Sequence, residues 1–248
     1  KEVEKFSLET IVRNFQEINR VDETNGGVYH TFFGHVRYAT SGTSESDVLK
    51  CAHPVVSGGK IVNRRSHIYH IDCDAVLVHN GQIDMSSSVL EPYTKGVNFD
   101  TELLLRYLKE EGYKKTLENI EGSYFLAFAE KGKDPLVMRD RHGMMPGIFG
   151  RKDEKYVFAS EDIALRKNGA EIIGNVEPGR VYFIRSNGLD FNYEQIIKGS
   201  PRHCFFQWNY ICSPESTVDD LAVGALRIKL GEKPAELIKP DIDIVTYL

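Results

Sequence analysis

The strongest constraint on the fold is a run of six apolar residues, YFLAFA, at positions 124–129. The run lacks the alternation of a strand that has one face in water, so it predicts a strand covered on both faces. Shorter strand patterns, separated by Gly and Asp, follow at residues 136–139, 147–149, 156–159 and 180–184. Strands buried on both faces need layers on either side, which predicts a helix–sheet–sheet–helix arrangement in the α+β class.

Apolar residues at helical spacing predict the elements that cover the sheets. Helices are expected at residues 4–19, 100–108, 113–120 and 217–230. Ser160 can cap a further short helix that runs through residues 163–165. Additional strands are expected at residues 28–38 and 204–211, with one or two strands at residues 67–78 and a loop at residues 41–47.

Composition excludes several classes of function. The formal net charge of −5 and the pI near 5.9 argue against a general nucleic-acid binder, which needs a basic face. The sequence shows neither the apolar length of a membrane span nor a signal-peptide pattern, so a cytoplasmic protein is expected. Reduced thiols are expected for the four cysteines, which are Cys51, Cys73, Cys204 and Cys212.

A metal site is not expected. His67, His70 and Cys73 are the closest group of potential ligands, but they lie in an extended segment. Residues three apart in a strand point to opposite faces, so the three side chains cannot converge on one ion.

Two segments together outline a pocket that could cleave an amide. The run GHVRYATSG at residues 34–42 places Arg37 and Thr40 at the end of a predicted strand, and an Arg fork suits a carboxylate. The run HNG at residues 79–81 offers the amide of Asn80 and the backbone N–H of Gly81 to an oxyanion.

Each of these signals has a structural alternative that the local pattern leaves open. Asn80-Gly81 between apolar runs is a strong signal for a hairpin turn. Arg37 could be a surface residue or a salt-bridged residue of the strand. Asp100 could be a helix N-cap, or it could pair with the ammonium group of a substrate.

The order of the motifs carries more information than any one of them. GHVRYATSG, then HNG, then FDTE at residues 99–102 resemble the glutaminase domain of class II glutamine amidotransferases. Tyr38, directly after the arginine, favours the amidophosphoribosyltransferase branch of that family. The resemblance continues through IEGSY at 120–124, RDRHGMMP at 139–146, FASE at 158–161, VEPGR at 176–180 and CFFQWNY at 204–210.

The resemblance implies a four-layer αββα sandwich of the Ntn-hydrolase fold. It implies a glutaminase domain at residues 1–201 and, at residues 202–248, a connector that resembles the start of a phosphoribosyltransferase domain. Arg37 and Thr40 would hold the α-carboxylate of glutamine, and Asp100 would hold its α-amine. Asn80 and Gly81 would form the oxyanion hole.

The implied reaction releases glutamate, and its ammonia passes to a synthase domain or partner that belongs to purine biosynthesis. A homo-oligomer is also expected, with no nucleic-acid partner and no membrane partner. No cofactor is expected: Cys204 stands where some relatives have one ligand of an iron–sulfur cluster, but the other ligands would belong to a further domain.

The chain departs from the family pattern at both ends. The family nucleophile is an N-terminal cysteine that uses its own α-amine as the base, whereas this chain starts at Lys1 and lacks the first strand of the fold. Because that loss would leave an unpaired sheet edge, we expect residues to precede Lys1. Residues 241–248 resemble only the first strand of the next domain, so we expect synthase activity to reside elsewhere.

Two other functions stay open at this point. The chain could be a catalytically silent relative that binds glutamine or acts as a scaffold. It could also be another Ntn amidohydrolase with a different amide substrate, although the presence of both Arg37 and Asp100 speaks against that reading.

Overall fold

The computed structural model describes residues 31–36, 51–63, 68–185 and 190–238. Its strands are β1 Val55–Ser57, β2 Lys60–Asn63, β3 Ile68–Ile71, β4 Ala75–Ile83, β5 Gly122–Glu130, β6 Leu136–Arg139, β7 Ile148–Lys152, β8 Lys155–Ala159, β9 Glu171–Asn175, β10 Arg180–Ile184, β11 Phe191–Gln195, β12 Thr217–Val218 and β13 Leu221–Ala222. Its helices are α1 Asp100–Asn119, α2 Asp162–Lys167 and α3 Val223–Ala235, with a 3₁₀ turn at Glu91–Tyr93 and a π-helix at Gln207–Ile211.

Two antiparallel sheets form the centre of the described structure. The larger sheet has the strand order β1-β4-β5-β6-β10-β11, and the smaller has the order β8-β7-β9. The longest pairing joins β4 to β5 over nine residues, from Ala75 opposite Glu130 to Ile83 opposite Gly122. The strands β2 and β3, and likewise β12 and β13, form separate hairpins.

The larger sheet is covered on both faces, as the apolar run at residues 124–129 predicts. On one face, Leu103 and Leu104 of α1 pack with Leu77 and Leu126 in the main hydrophobic cluster. On the other face, Phe125 belongs to a second cluster. This cluster also contains Val137, Tyr182, Phe149 and, at its edge, Phe158. Phe149 and Phe158 come from the smaller sheet, so the two sheets pack face to face.

Short helix α2 contacts all three strands of the smaller sheet. The described layers therefore include α1, the larger sheet and the smaller sheet with α2, which confirms the α+β class and the helix–sheet–sheet–helix prediction.

The helix predicted at residues 4–19 and the loop at residues 41–47 lie outside the described residues. No helix of the described ranges is long and apolar enough to cross a membrane.

Helix α1 confirms the two helical stretches expected on either side of residue 110. Gly112 interrupts the helix with a φ of 82° and a ψ of 169°, so two helical segments meet at a kink. Glycine reaches this left-handed region without the steric penalty that a Cβ imposes.

Two of the other predicted elements are wrong, and a third begins later in the chain than predicted. Residues 31–36 lie in neither helix nor strand, which contradicts the strand expected at 28–38 where the structure describes it. The strand expected at 204–211 is instead helical, because Trp208 and Cys212, four residues apart, both face a small cluster with Val218 and Val223.

The helix expected at 217–230 begins only at Val223. Asp219 and Asp220 adopt left-handed φ values of 46° and 66°, which place the β12–β13 turn where the sequence pattern predicts helix. The predicted domain boundary between residues 201 and 202 stays a prediction.

Candidate functional site

Asn80 and Gly81 lie inside β4, not in a tight turn. Asn80 pairs with Phe125 and Gly81 with Tyr124, and the strand continues to Ile83. The hairpin prediction is therefore wrong. A Cβ built on Gly81 would lie 1.9 Å from the carbonyl oxygen of Ser123, and its φ is +140°. The glycine is thus required by the close approach of two backbones, which a local sequence pattern does not reveal.

The strand register determines where the N–H of Gly81 points. Just past the end of β4, Asp84 N–H donates to the carbonyl of Glu121 at 2.9 Å. Hydrogen-bonded and non-bonded pairs alternate along an antiparallel ladder, so Gly81 and Tyr124 form a non-bonded pair. The N–H of Gly81 is therefore directed away from β5, to the side where β1 pairs only with residues 75–77.

Asn80 lies on the face of β4 opposite to its buried neighbours. Leu77 is in the α1 cluster, and His79 bonds to Thr101 of α1. Successive strand residues alternate faces, so the side chain of Asn80 points to the side of the smaller sheet. There its Nδ2 donates to the hydroxyl of Ser160 at 3.0 Å.

Ser160 follows β8 and is not the cap of the short helix. The N-cap position of α2 is Glu161, without a side-chain cap bond, which contradicts the capping prediction. The local sequence does not predict the contact of Ser160 with Asn80. The two residues are 80 positions apart, and only the packing of the two sheets brings them together.

Asp100 is the first residue of α1, and Phe99 is the N-cap. Its Oδ1 accepts from Thr101 N–H at 2.8 Å, and its Oδ2 accepts a long bond of 3.4 Å from Ile83 N–H. The structure therefore brings the Asp100 carboxylate to the end of the strand that carries Asn80 and Gly81. Because a carboxylate oxygen has two lone pairs, Oδ2 retains capacity to accept a further donor.

Two histidines that interact electrostatically with Asp100, His53 and His79, are neutral at pH 7. His79 is buried, and its Nδ1 lies 3.0 Å from Thr101 Oγ1. Burial lowers the pKa of His79 well below its ordinary value, although the charge of Asp100 opposes the shift. The pKa of His53 falls to about 4, chiefly through burial and then through His35, whose ring stacks on it at 4.2 Å.

The neutral imidazoles decide what Asp100 can attract. At pH 7 neither His53 nor His79 carries the positive charge that would balance the carboxylate. Asp100 can therefore attract an ammonium group of a ligand.

Two of the predicted substrate-binding residues, Arg37 and Thr40, lie outside the described residues. The structure thus brings together three of the five predicted site residues, namely Asn80, Gly81 and Asp100.

All four cysteines are free thiols. Burial raises the pKa of the Cys212 thiol to about 12, so it is protonated at neutral pH. Within the described ranges, no group of three or more His, Cys, Asp or Glu side chains is arranged to hold a metal ion.

Comparisons with known proteins point to one kind of domain. A family model described as a glutamine amidotransferase domain matches residues 64–198. The amidophosphoribosyltransferase of Pasteurella multocida is 28% identical over 244 residues, which cover 86% of this chain and 45% of that protein. The Archaeoglobus fulgidus amidophosphoribosyltransferase is 30% identical over 230 residues, which cover 86% of this chain and 46% of that protein.

A solved structure shares the fold. The glutamine phosphoribosylpyrophosphate amidotransferase of B. subtilis, complexed with ADP and GMP, matches with a TM-score of 0.63 and 25% identity. The match covers 85% of this chain and 47% of the B. subtilis chain. This likeness supports the Ntn-hydrolase fold, and the chain spans about half the length of the relatives that it matches.

Proposed function

Because the chain belongs to the family of glutamine amidotransferase domains, we propose that it is the module that hydrolyses glutamine in a protein of amidophosphoribosyltransferase type. The reaction splits the side-chain amide of glutamine into glutamate and ammonia. The family model covers residues 64–198, which include Asn80, Gly81 and Asp100.

The observation that carries the proposal is the pair of donors on β4. The N–H of Gly81 is directed away from β5, to the side on which β1 pairs with residues 75–77, and the neighbouring Asn80 supplies a side-chain amide. When a nucleophile attacks the carboxamide carbon, the carbonyl oxygen becomes an oxyanion. In this proposal the two donors stabilise that oxyanion, and the loss of such a donor typically lowers kcat by about 10²–10³.

Substrate recognition in the proposal uses both ends of the amino acid. The Asp100 carboxylate pairs with the α-ammonium group, which the neutral state of His53 and His79 supports. Arg37 and Thr40 hold the α-carboxylate, and the guanidinium fork of Arg37 suits two parallel hydrogen bonds. The attacking thiolate is not assigned to any of residues 1–248.

The released ammonia is proposed to pass to a synthase domain or partner. The curated relatives named amidophosphoribosyltransferase are about twice the length that this chain covers, so the acceptor belongs to that larger protein type.

We further propose that the protein is a cytoplasmic homo-oligomer. The four free thiols support the cytoplasmic location, because they are typical of a reducing compartment.

The proposal is tested by measuring glutamate release and glutamine binding with the full-length protein. Asp100→Asn is expected to raise the KM for glutamine about 10- to 100-fold, since a hydrogen bond to a charged group contributes about 1.5–3 kcal/mol. Asp153→Asn, at an exposed turn position that Asn also tolerates, is the matched control and should leave KM unchanged.

Three outcomes separate the possible functions. Glutamate release with the expected KM shift supports the proposal. Glutamine binding without glutamate release would instead select a catalytically silent relative. A wild-type protein that neither binds nor hydrolyses glutamine would overturn the proposal.

A further inference from the structure

The side-chain amide of Asn80 has a fixed partner in the facing layer. Its Nδ2 donates to Ser160 Oγ at 3.0 Å, which joins β4 of the larger sheet to the residue that follows β8 of the smaller sheet. An amide nitrogen carries two hydrogens, so this bond uses one and leaves the second for another acceptor. The bond therefore restricts the orientation of the donor that the proposed reaction needs.

The two residues that follow Ser160 are anchored by hydrogen bonds to another segment of the chain. Glu161 Oε2 accepts from Ser213 N–H at 2.7 Å and from Ser216 Oγ at 2.6 Å. Asp162 Oδ1 accepts from Thr217 N–H at 2.8 Å.

Two residues of this clamp are shielded from water. Asp162 and Ser216 are buried, with 4% and 1% of their surface exposed. The start of α2 is therefore fastened to the turn at residues 213–217, and burial strengthens the hydrogen bonds that fasten it.

We propose that Ser160 is a positioning residue that orients the Asn80 amide, and that the clamp of Glu161 and Asp162 on residues 213–217 holds Ser160 in place. This inference rests on the proposed function. The clamp connects the segment after residue 202 to the oxyanion donor through a continuous path of described contacts. A shift of the turn at residues 213–217 changes the position of Ser160, and with it the direction of the Asn80 N–H.

The experiment measures glutamine hydrolysis by the full-length protein. Ser160→Ala should lower kcat about 3- to 10-fold, the effect of one ordinary hydrogen bond, with KM within about twofold of wild type. Ser160→Thr retains the hydroxyl and should restore most of the rate. Ser200→Ala is the matched control, because Ser200 is exposed and contacts Arg141 through its backbone N–H.

A double-mutant cycle separates positioning from general damage to the fold. If Ser160 acts through Asn80, Ser160→Ala should have no further effect on kcat in an Asn80→Ala background. Glu161→Gln should lower kcat in the wild-type background and have little effect when Ser160→Ala is already present.

The possible failures are distinguishable. If the wild type is active, a kcat that Ser160→Ala leaves unchanged would overturn this inference alone. Additive effects of Ser160→Ala and Asn80→Ala on kcat would do the same. A wild type that releases no glutamate would overturn the proposed function and this inference together.

Discussion

The guanidinium of Arg139 makes a bidentate ion pair with Asp219, with both N···O distances at 2.9 Å. Arg139 is 1% exposed, and its remaining N–H groups donate to the carbonyls of Met145, Val176 and Gly143. All five donors of the side chain are thus satisfied. This pair attaches the β12–β13 turn to the end of β6, and so attaches the segment after residue 202 to the two-sheet core.

Removal of the Arg139 donors should be costly. Arg139→Met retains apolar bulk but leaves the Asp219 carboxylate and three carbonyls without their partner. We expect the free energy of unfolding in urea to fall by about 3–5 kcal/mol, as for other broken buried pairs. Arg185→Met is the control, because the pair of Arg185 with Asp134 is exposed and should contribute at most about 1 kcal/mol. Equal losses in the two variants would contradict the assigned role of Arg139.

Stability should fall in mild acid because of His53. Its pKa is about 4 in the folded chain and 6.5 in the unfolded chain, so the unfolded state binds more protons between these values. The stabilisation is complete above pH 6.5 and is lost as the pH drops towards 4. His53→Gln, which cannot take up a proton, should reduce the slope of unfolding free energy against pH in this window. Unchanged slopes in urea titrations at pH 7, 6 and 5 would show that His53 is not the group responsible.

Gly81 should tolerate no side chain. The Cβ of Gly81→Ala would meet the Ser123 carbonyl oxygen at 1.9 Å, in a backbone conformation that L residues rarely adopt. We expect a loss of about 3 kcal/mol or more in unfolding free energy. Gly231→Ala in α3 is the control: its Cβ would meet nothing within 4 Å, and alanine should stabilise the helix by about 0.5–1 kcal/mol. A Gly81→Ala variant as stable as wild type would mean that β4 and β5 do not approach in this way.

The sequence predicted the elements whose pattern depends on neighbours close in the chain. The apolar run at residues 124–129 predicted a strand buried on both faces, and the helical spacing at residues 100–120 predicted α1. An element that buries a whole face has apolar residues at a regular spacing in its own sequence. These predictions therefore needed no knowledge of distant contacts.

The predictions that failed depend on contacts far away in the chain. Asn80-Gly81 has the local chemistry of a turn, but the close approach of Ser123 decides its conformation. Asp219 lies in a segment with helical spacing, yet its bond to Arg139, 80 positions earlier, belongs to a left-handed turn. Tertiary contacts of this kind override local propensity.

The same limit applies to the site. Asn80, Gly81 and Asp100 were found from motif order, which reflects the resemblance to a family. Ser160 was not found as a site residue, because nothing in its local sequence indicates that it faces Asn80.

The proposed role of Asn80 as an oxyanion donor is tested by the rate of glutamine hydrolysis by Asn80→Ala in the full-length protein. We expect kcat to fall about 10²–10³-fold while KM stays within about twofold, because the amide acts on the oxyanion and not on bound glutamine. Asn192→Ala, at an exposed position on β11, should hydrolyse glutamine at the wild-type rate. An Asn80→Ala protein that keeps at least about a third of the wild-type kcat would show that Asn80 is not an oxyanion donor, since one lost donor should lower kcat far more than that.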